Sequence, residues 1–126
     1  MTVGFIEGAR LTSLLRGPEK SDTCVLDVRD DDFRGGHIPG CLNIWSDEFA
    51  DDDDVDSIIQ KHALGQYKMI VVTCFMSQQR GPFCARRLAS RLETLDVPQK
   101  PVINVLYGGM RKFKQDYSGR ADLLED

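Results

Sequence analysis

No stretch of about 18 consecutive apolar residues occurs anywhere in the chain, so no part of it is read as a helix spanning a bilayer. The residues from Met1 to Glu7 lack a basic segment followed by an apolar one, which argues against a secretory signal. Histidine is scarce, and the four cysteines (Cys24, Cys41, Cys74 and Cys84) lie far apart with no Cys-x-x-Cys among them. Those spacings provide no zinc site. Thiols of intracellular proteins are normally reduced, so a disulfide framework is not expected either. Basic charge is not in excess: 16 Lys and Arg against 20 Asp and Glu give a net charge of −4, whereas a general nucleic-acid binder is usually basic. These absences lead us to expect a soluble cytoplasmic protein, with a nuclear location as the alternative. It should need no metal or bound cofactor and bind neither membrane nor nucleic acid.

What is present fits one ordinary domain spanning residues 1–126, with 41% hydrophobic and 29% charged residues. Acidic charge is localised, with seven acidic residues in the ten positions from Asp47 to Asp56. That run reads as a solvated loop entering a helix, since it lacks the spacing, glycine and terminal glutamate of a calcium loop.

Segments alternate in type along the chain. Val3–Ile6, Thr23–Val28, Cys41–Ile44, Lys68–Thr73 and Val102–Leu106 are apolar runs of strand length. Arg10–Arg16, Val55–Leu64 and Pro82–Leu95 have helical character, with Gly17-Pro18 and Gly65 as stop signals for the first two. A final helix is expected from Gly108-Gly109 to about Tyr117, followed by a polar tail over 118–126. Buried strands alternating with helices specify an α/β fold: a central, mostly parallel five-stranded sheet with helices on both faces. Sheets of this kind place ligands at the carboxyl ends of strands, which points to the residues just after Thr73.

Those residues are Cys74-Phe75-Met76-Ser77-Gln78-Gln79-Arg80. A strand ends before them and a helix begins after them, so the connection must turn tightly. Backbone amides of such a turn can converge into an anion-binding nest, and the helix N-terminus adds unpaired N–H groups. Arg80 can supply a planar fork for a tetrahedral oxyanion. A cysteine at the base of this cup is favoured as the nucleophilic thiolate. Ser77 is expected to donate its hydroxyl hydrogen to the departing sulfur. The catalytic candidates are thus Cys74, Arg80 and Ser77, with Phe75 to Arg80 as the oxyanion-binding loop.

Three segments together resemble the rhodanese superfamily: Val25-Leu-Asp-Val-Arg29 followed by Gly36-His-Ile-Pro-Gly40, the Cys74 loop, and Val105-Leu-Tyr-Gly-Gly109. In that superfamily sulfurtransferases carry a loop one residue shorter. The Cys-x5-Arg length resembles the branch of dual-specificity phosphatases and eukaryotic arsenate/antimonate reductases, and Arg80-Gly-Pro-Phe-Cys-Ala-Arg-Arg-Leu88 is most like the small reductases. The resemblance implies a cysteine-dependent enzyme acting on a small oxyanion or phosphorylated substrate, with glutathione and a glutaredoxin as reductants if it is a reductase. Alternatives are a tyrosine- or dual-specificity-type phosphatase, a thiosulfate sulfurtransferase, or an inert binding module of the same fold. Most members have His before the nucleophile where this chain has Thr73, and the mitotic phosphatases have a second cysteine at the position of Val28. No Asp or Glu lies within the loop, so a general acid for a poor leaving group is not evident.

Other residues are given structural roles. Asp27 and Arg29 should tie loops together, and His37 should be a satisfied turn histidine, with His62 exposed on the acidic helix. Cys24 and Cys41 should be buried in strands. Cys84 falls on the apolar side of its helix, with resolution of an oxidised Cys74 as its alternative role. Arg86, Arg87 and Arg91 fit a solvated helix face, or one that attracts anions.

Overall fold

In the computed structural model, which describes residues 2–126, the apolar runs become strands β1 (Val3–Ile6), β2 (Thr23–Asp27), β3 (Leu42–Asn43), β4 (Met69–Thr73) and β5 (Val102–Leu106). Every strand pairing is parallel, in the order β1-β5-β4-β2-β3. A central parallel strand is covered on both faces and has to be apolar at nearly every position. β2 and β4 meet this demand: only their first residues, Thr23 and Met69, are partly exposed. Side chains alternate between two cores, as the pleat requires. Leu26, Ile70, Val72, Ile103 and Val105 pack under helices α2 (Asp52–Lys61) and α3 (Arg80–Thr94). Val25, Val71 and Leu106 pack on the opposite face under α1 (Gly8–Arg16) and α4 (Gly109–Tyr117). The layered α/β architecture expected from the sequence is therefore present.

Boundaries moved where charge or packing overrode local signals. Helix α2 starts at Asp52 rather than Val55, because Asp52, Asp53 and Asp54 suit the positive N-terminal end of a helix. It stops before Ala63, whose φ of +51° takes the chain out of the helix. Gly65 is not its stop signal but a packing position, since a Cβ there would lie 2.5 Å from Val97 Cβ. The acidic run is only partly solvated. Arg91 pairs with Asp56 through two bonds of 2.8 and 2.9 Å, and Arg87 binds Asp52 at 2.7 Å and the carbonyls of Phe49 and Ala50. These contacts lace α2 to α3, so Arg87 and Arg91 are engaged and only Arg86 lies on the exposed face.

The last nine residues, read as a polar tail, carry an apolar anchor: Leu123 is fully buried in the α1/α4 core. Glu125 and His37 exchange backbone hydrogen bonds of 2.8 and 2.9 Å, which ties the chain end to the Gly36-His37 loop. Among the described residues no helix is long and apolar enough to cross a membrane.

Candidate active site

The register of β2 and β4 places Asp27 beside Thr73. The chains leaving these two strands therefore emerge side by side at the carboxyl edge of the sheet, and the Val28 amide donates to the Thr73 carbonyl at 2.8 Å. One segment is the Cys74–Arg80 loop and the other is the long connection from Val28 to Cys41. They meet over a cleft of about 380 Å³ lined by Asp32, Cys74, Phe75, Met76, Gln78, Gln79 and Arg80.

At its floor lies Cys74, only 2% exposed. Its Sγ accepts hydrogen bonds from the Ser77 amide at 3.2 Å and the Gly81 amide at 3.3 Å. Two converging N–H groups suit an anionic acceptor. Gly81 supplies one because it is the second residue of α3, where amides have no partner within the helix. Ser77 supplies the other from a left-handed backbone conformation, φ +56°. The expected hydroxyl contact to sulfur is thus replaced by a backbone one. The Ser77 hydroxyl oxygen instead lies 3.5 Å from the Cys74 amide, as its acceptor.

Outside the cup, α4 holds the loop's carbonyls. The Met110 amide donates to the Cys74 carbonyl and the Arg111 amide to the Phe75 carbonyl, both at 2.9 Å. Thr73, fully buried, adds a hydroxyl bond of 3.1 Å to the Cys74 carbonyl, so the residue standing where His is usual still gives the loop polar support.

The rim carries Arg80, whose guanidinium faces Asp32. Its Nη1 and Nη2 donate to Asp32 Oδ1 and Oδ2 at 2.8 and 2.7 Å. The Arg80 hydrogen bonds hold the Asp32 carboxyl down at about 2 against its burial, and the same pairing raises the guanidinium pKa. Asp30 stands 3.8 Å from Arg80, its carboxylate engaged by the Ser46 amide and hydroxyl at 2.7 to 3.1 Å.

Neighbouring candidates are not among the residues that line the cleft. Asp27 and Arg29 form a fully buried pair at 2.8 Å; Arg29 also donates to the Gly36 carbonyl and lies 5.0 Å from the Phe33 ring centroid. His37 Nε2 lies 3.1 Å from Glu125, and His62 is half-buried rather than exposed. Cys84 is buried in the α2/α3 core, and burial, reinforced by Cys74, pushes its thiol up to about 12. Burial likewise pushes Cys24 and Cys41 up to about 12. Cys24 is buried within β2, and Cys41 is half-buried just ahead of β3. All four cysteines are free, and among the described residues no group of three His, Cys, Asp or Glu is arranged to hold a metal ion.

Sequence reasoning missed Asp32, Gly81 and the α4 amides. A usable signal existed for Asp32: the run Asp30-Asp31-Asp32 follows β2 directly, at the same sheet edge as Cys74.

Compared with known protein families, residues 10–116 match the rhodanese-like domain. The chain belongs to the rhodanese-like family. The dual specificity phosphatase ibp1 of Schizosaccharomyces pombe is 34% identical over 122 residues, covering 83% of this chain and 84% of its own. The CDC25-like phosphatase YCH1 of Saccharomyces cerevisiae is 30% identical over 112 residues, covering 84% and 72%. Among solved structures, the As-Sb reductase from Leishmania major superposes with a TM-score of 0.85 at 26% identity, covering 98% of this chain and 85% of that one. The rhodanese-like fold is thus shared with relatives named as phosphatases and with a reductase.

Proposed function

We propose that this protein is a cysteine-dependent oxyanion enzyme, of the arsenate/antimonate-reductase kind, with a phosphatase-type loop. The observation that carries the reading is the Cys74 sulfur at the floor of a cleft, met by the amides of Ser77 and Gly81, with the guanidinium of Arg80 at the rim. Loop amides and Arg80 neutralise charge that builds on the oxyanion as the bond to sulfur forms. With arsenate, Cys74 sulfur displaces one oxygen as water and forms a sulfur–arsenic(V) bond. Glutathione sulfur then attacks Cys74 sulfur, the bond to arsenic breaks, and its electron pair leaves on arsenic(III). The resulting mixed disulfide is returned to a thiol by glutaredoxin and a second glutathione. The Asp32 carboxyl, held ionised by Arg80, is no proton donor in this arrangement, which favours chemistry that needs no general acid. Four free thiols fit a reducing compartment such as the cytoplasm.

A second reading, phosphatase action on aryl phosphates, is favoured by the names of the curated relatives. There Cys74 would take the phosphoryl group, a good leaving group would depart without protonation, and water would release phosphate. Arsenate with both thiol donors, an aryl phosphate and thiosulfate, assayed side by side on one preparation, separate the readings. Arsenate reduction abolished in Cys74→Ser and reduced about 10²- to 10³-fold in Arg80→Ala is expected. No reduction above the Cys74→Ser control removes the reductase reading, and no aryl phosphate turnover removes the phosphatase one.

A further inference from the structure

The fork that should receive the oxyanion already holds an anion. Both Asp32 oxygens sit on the two terminal nitrogens of Arg80, at 2.8 and 2.7 Å, in the geometry by which a guanidinium grips two oxygens of a tetrahedral oxyanion. The two acidic neighbours of Arg80 differ in how they are held. Asp30 is fixed by Ser46 and stays 3.8 Å away. Asp32 has, besides Arg80, one backbone bond from the Asp30 amide at 2.9 Å, and its side chain is 37% exposed. Outside Arg80, Asp32 is therefore tied by fewer hydrogen bonds than Asp30 and gives up fewer on turning toward solvent. A dianion entering the cleft would share one positive charge with a carboxylate in contact with it, and like charges at that range repel.

We propose that Asp32 is a resident competitor for the oxyanion site: it occupies the Arg80 fork when the cleft is empty and leaves it when substrate binds. This rests on the oxyanion-enzyme reading above and adds its specificity device. Only an anion charged enough to displace a carboxylate gains the fork, so Asp32 sets affinity and favours tetrahedral dianions over weaker anions. It acts through Arg80 and touches no reacting atom, which makes it a positioning residue.

The test is tungstate, a tetrahedral dianion, titrated calorimetrically into wild type, Asp32→Asn, Arg80→Ala and the double variant, with aryl phosphate KM measured beside it. Asparagine still accepts the Asp30 amide, so the turn is retained; Asp32→Ser serves if that variant does not fold. Asp32→Asn should bind tungstate about fivefold more tightly or better, with KM falling alongside. In the Arg80→Ala background the same substitution should tighten binding by clearly less, because only the direct repulsion is then relieved. Unchanged or weaker tungstate binding in Asp32→Asn overturns the proposal, as does a tightening of the same size without Arg80, because that would be a general charge effect. Wild type that binds no tungstate and turns over neither arsenate nor aryl phosphate removes the oxyanion reading itself. Active wild type with no tightening in the variant removes only the role of Asp32.

Discussion

Gly109 abuts the carbonyl of Phe75 so closely that no side chain fits: a Cβ on Gly109 would lie 2.4 Å from the Phe75 oxygen and 2.7 Å from the Cys74 oxygen. Its φ of +62° is also one that L side chains rarely adopt. The approach is what lets the Met110 and Arg111 amides reach the two loop carbonyls. Gly109→Ala should therefore cost about 1–3 kcal/mol in backbone strain alone, and push the Cys74 loop out of shape. Urea denaturation should show the loss of stability. Turnover by variant still folded at the assay temperature should fall well below wild type; wild-type turnover would mean that the loop does not depend on this contact.

Arg29 and Asp27 form the buried pair that anchors the second wall of the site. Removing one partner leaves an uncompensated charge in the core, which costs about 3–5 kcal/mol. Arg29→Met should show that loss in chemical denaturation. Arg29→Lys should recover part of it, because an ammonium serves Asp27 but cannot also hold the Gly36 carbonyl with the fork geometry. Equal losses in the two variants would show that charge and geometry contribute nothing separable.

Three of the four thiols are pushed up to about 12 by burial, while Cys74 lines an open cleft. Native protein treated with iodoacetamide near pH 7.5 should take up a single label, on Cys74, and all four cysteines should label after denaturation. Peptide mass spectrometry reads the position. Labelling of Cys84 at the rate of Cys74 would contradict its burial and reopen its role as a resolving thiol.

The strands and the Cys74 loop were legible because their signals are local: apolar runs, a strand end, a helix start. The five strands, the α/β class and the cleft-lining residues Phe75, Met76, Gln78, Gln79 and Arg80 all follow from such runs. What could not be read depends on neighbours distant in sequence. Asp32 meets Arg80 only because β2 lies next to β4, and the one-dimensional order does not state that register. Arg87 and Arg91 looked solvated because their acidic partners sit some 35 positions upstream. The Ser77 amide donates to the sulfur from a left-handed serine, a conformation for which nothing in its neighbours calls. Leu123 looked like part of a tail because one apolar residue among polar ones gives no periodic pattern.

The Asp32–Arg80 pair should also leave a mark on acid stability. The Asp32 carboxyl, ordinarily near 3.8, is held at about 2 in the folded protein by Arg80. It therefore binds a proton less readily folded than unfolded, and stability from the pair is complete above about pH 4 and lost as pH falls toward 2. Asp56 and Asp122 are lowered by Arg91 and Arg16 in the same direction, but they are common to wild type and Asp32→Asn and cancel between them. Because Asp32 is 37% exposed, solvent screens the pair and its contribution should be about 0.5–1 kcal/mol. Urea unfolding of wild type and Asp32→Asn across this range should show wild type more stable by that amount above about pH 4.5, with the gap closing toward pH 2. Added salt should narrow the gap where it is open. A difference that stays constant down to pH 2 would place its origin in the packing of the Asp30–Phe33 turn rather than in the charge on Asp32.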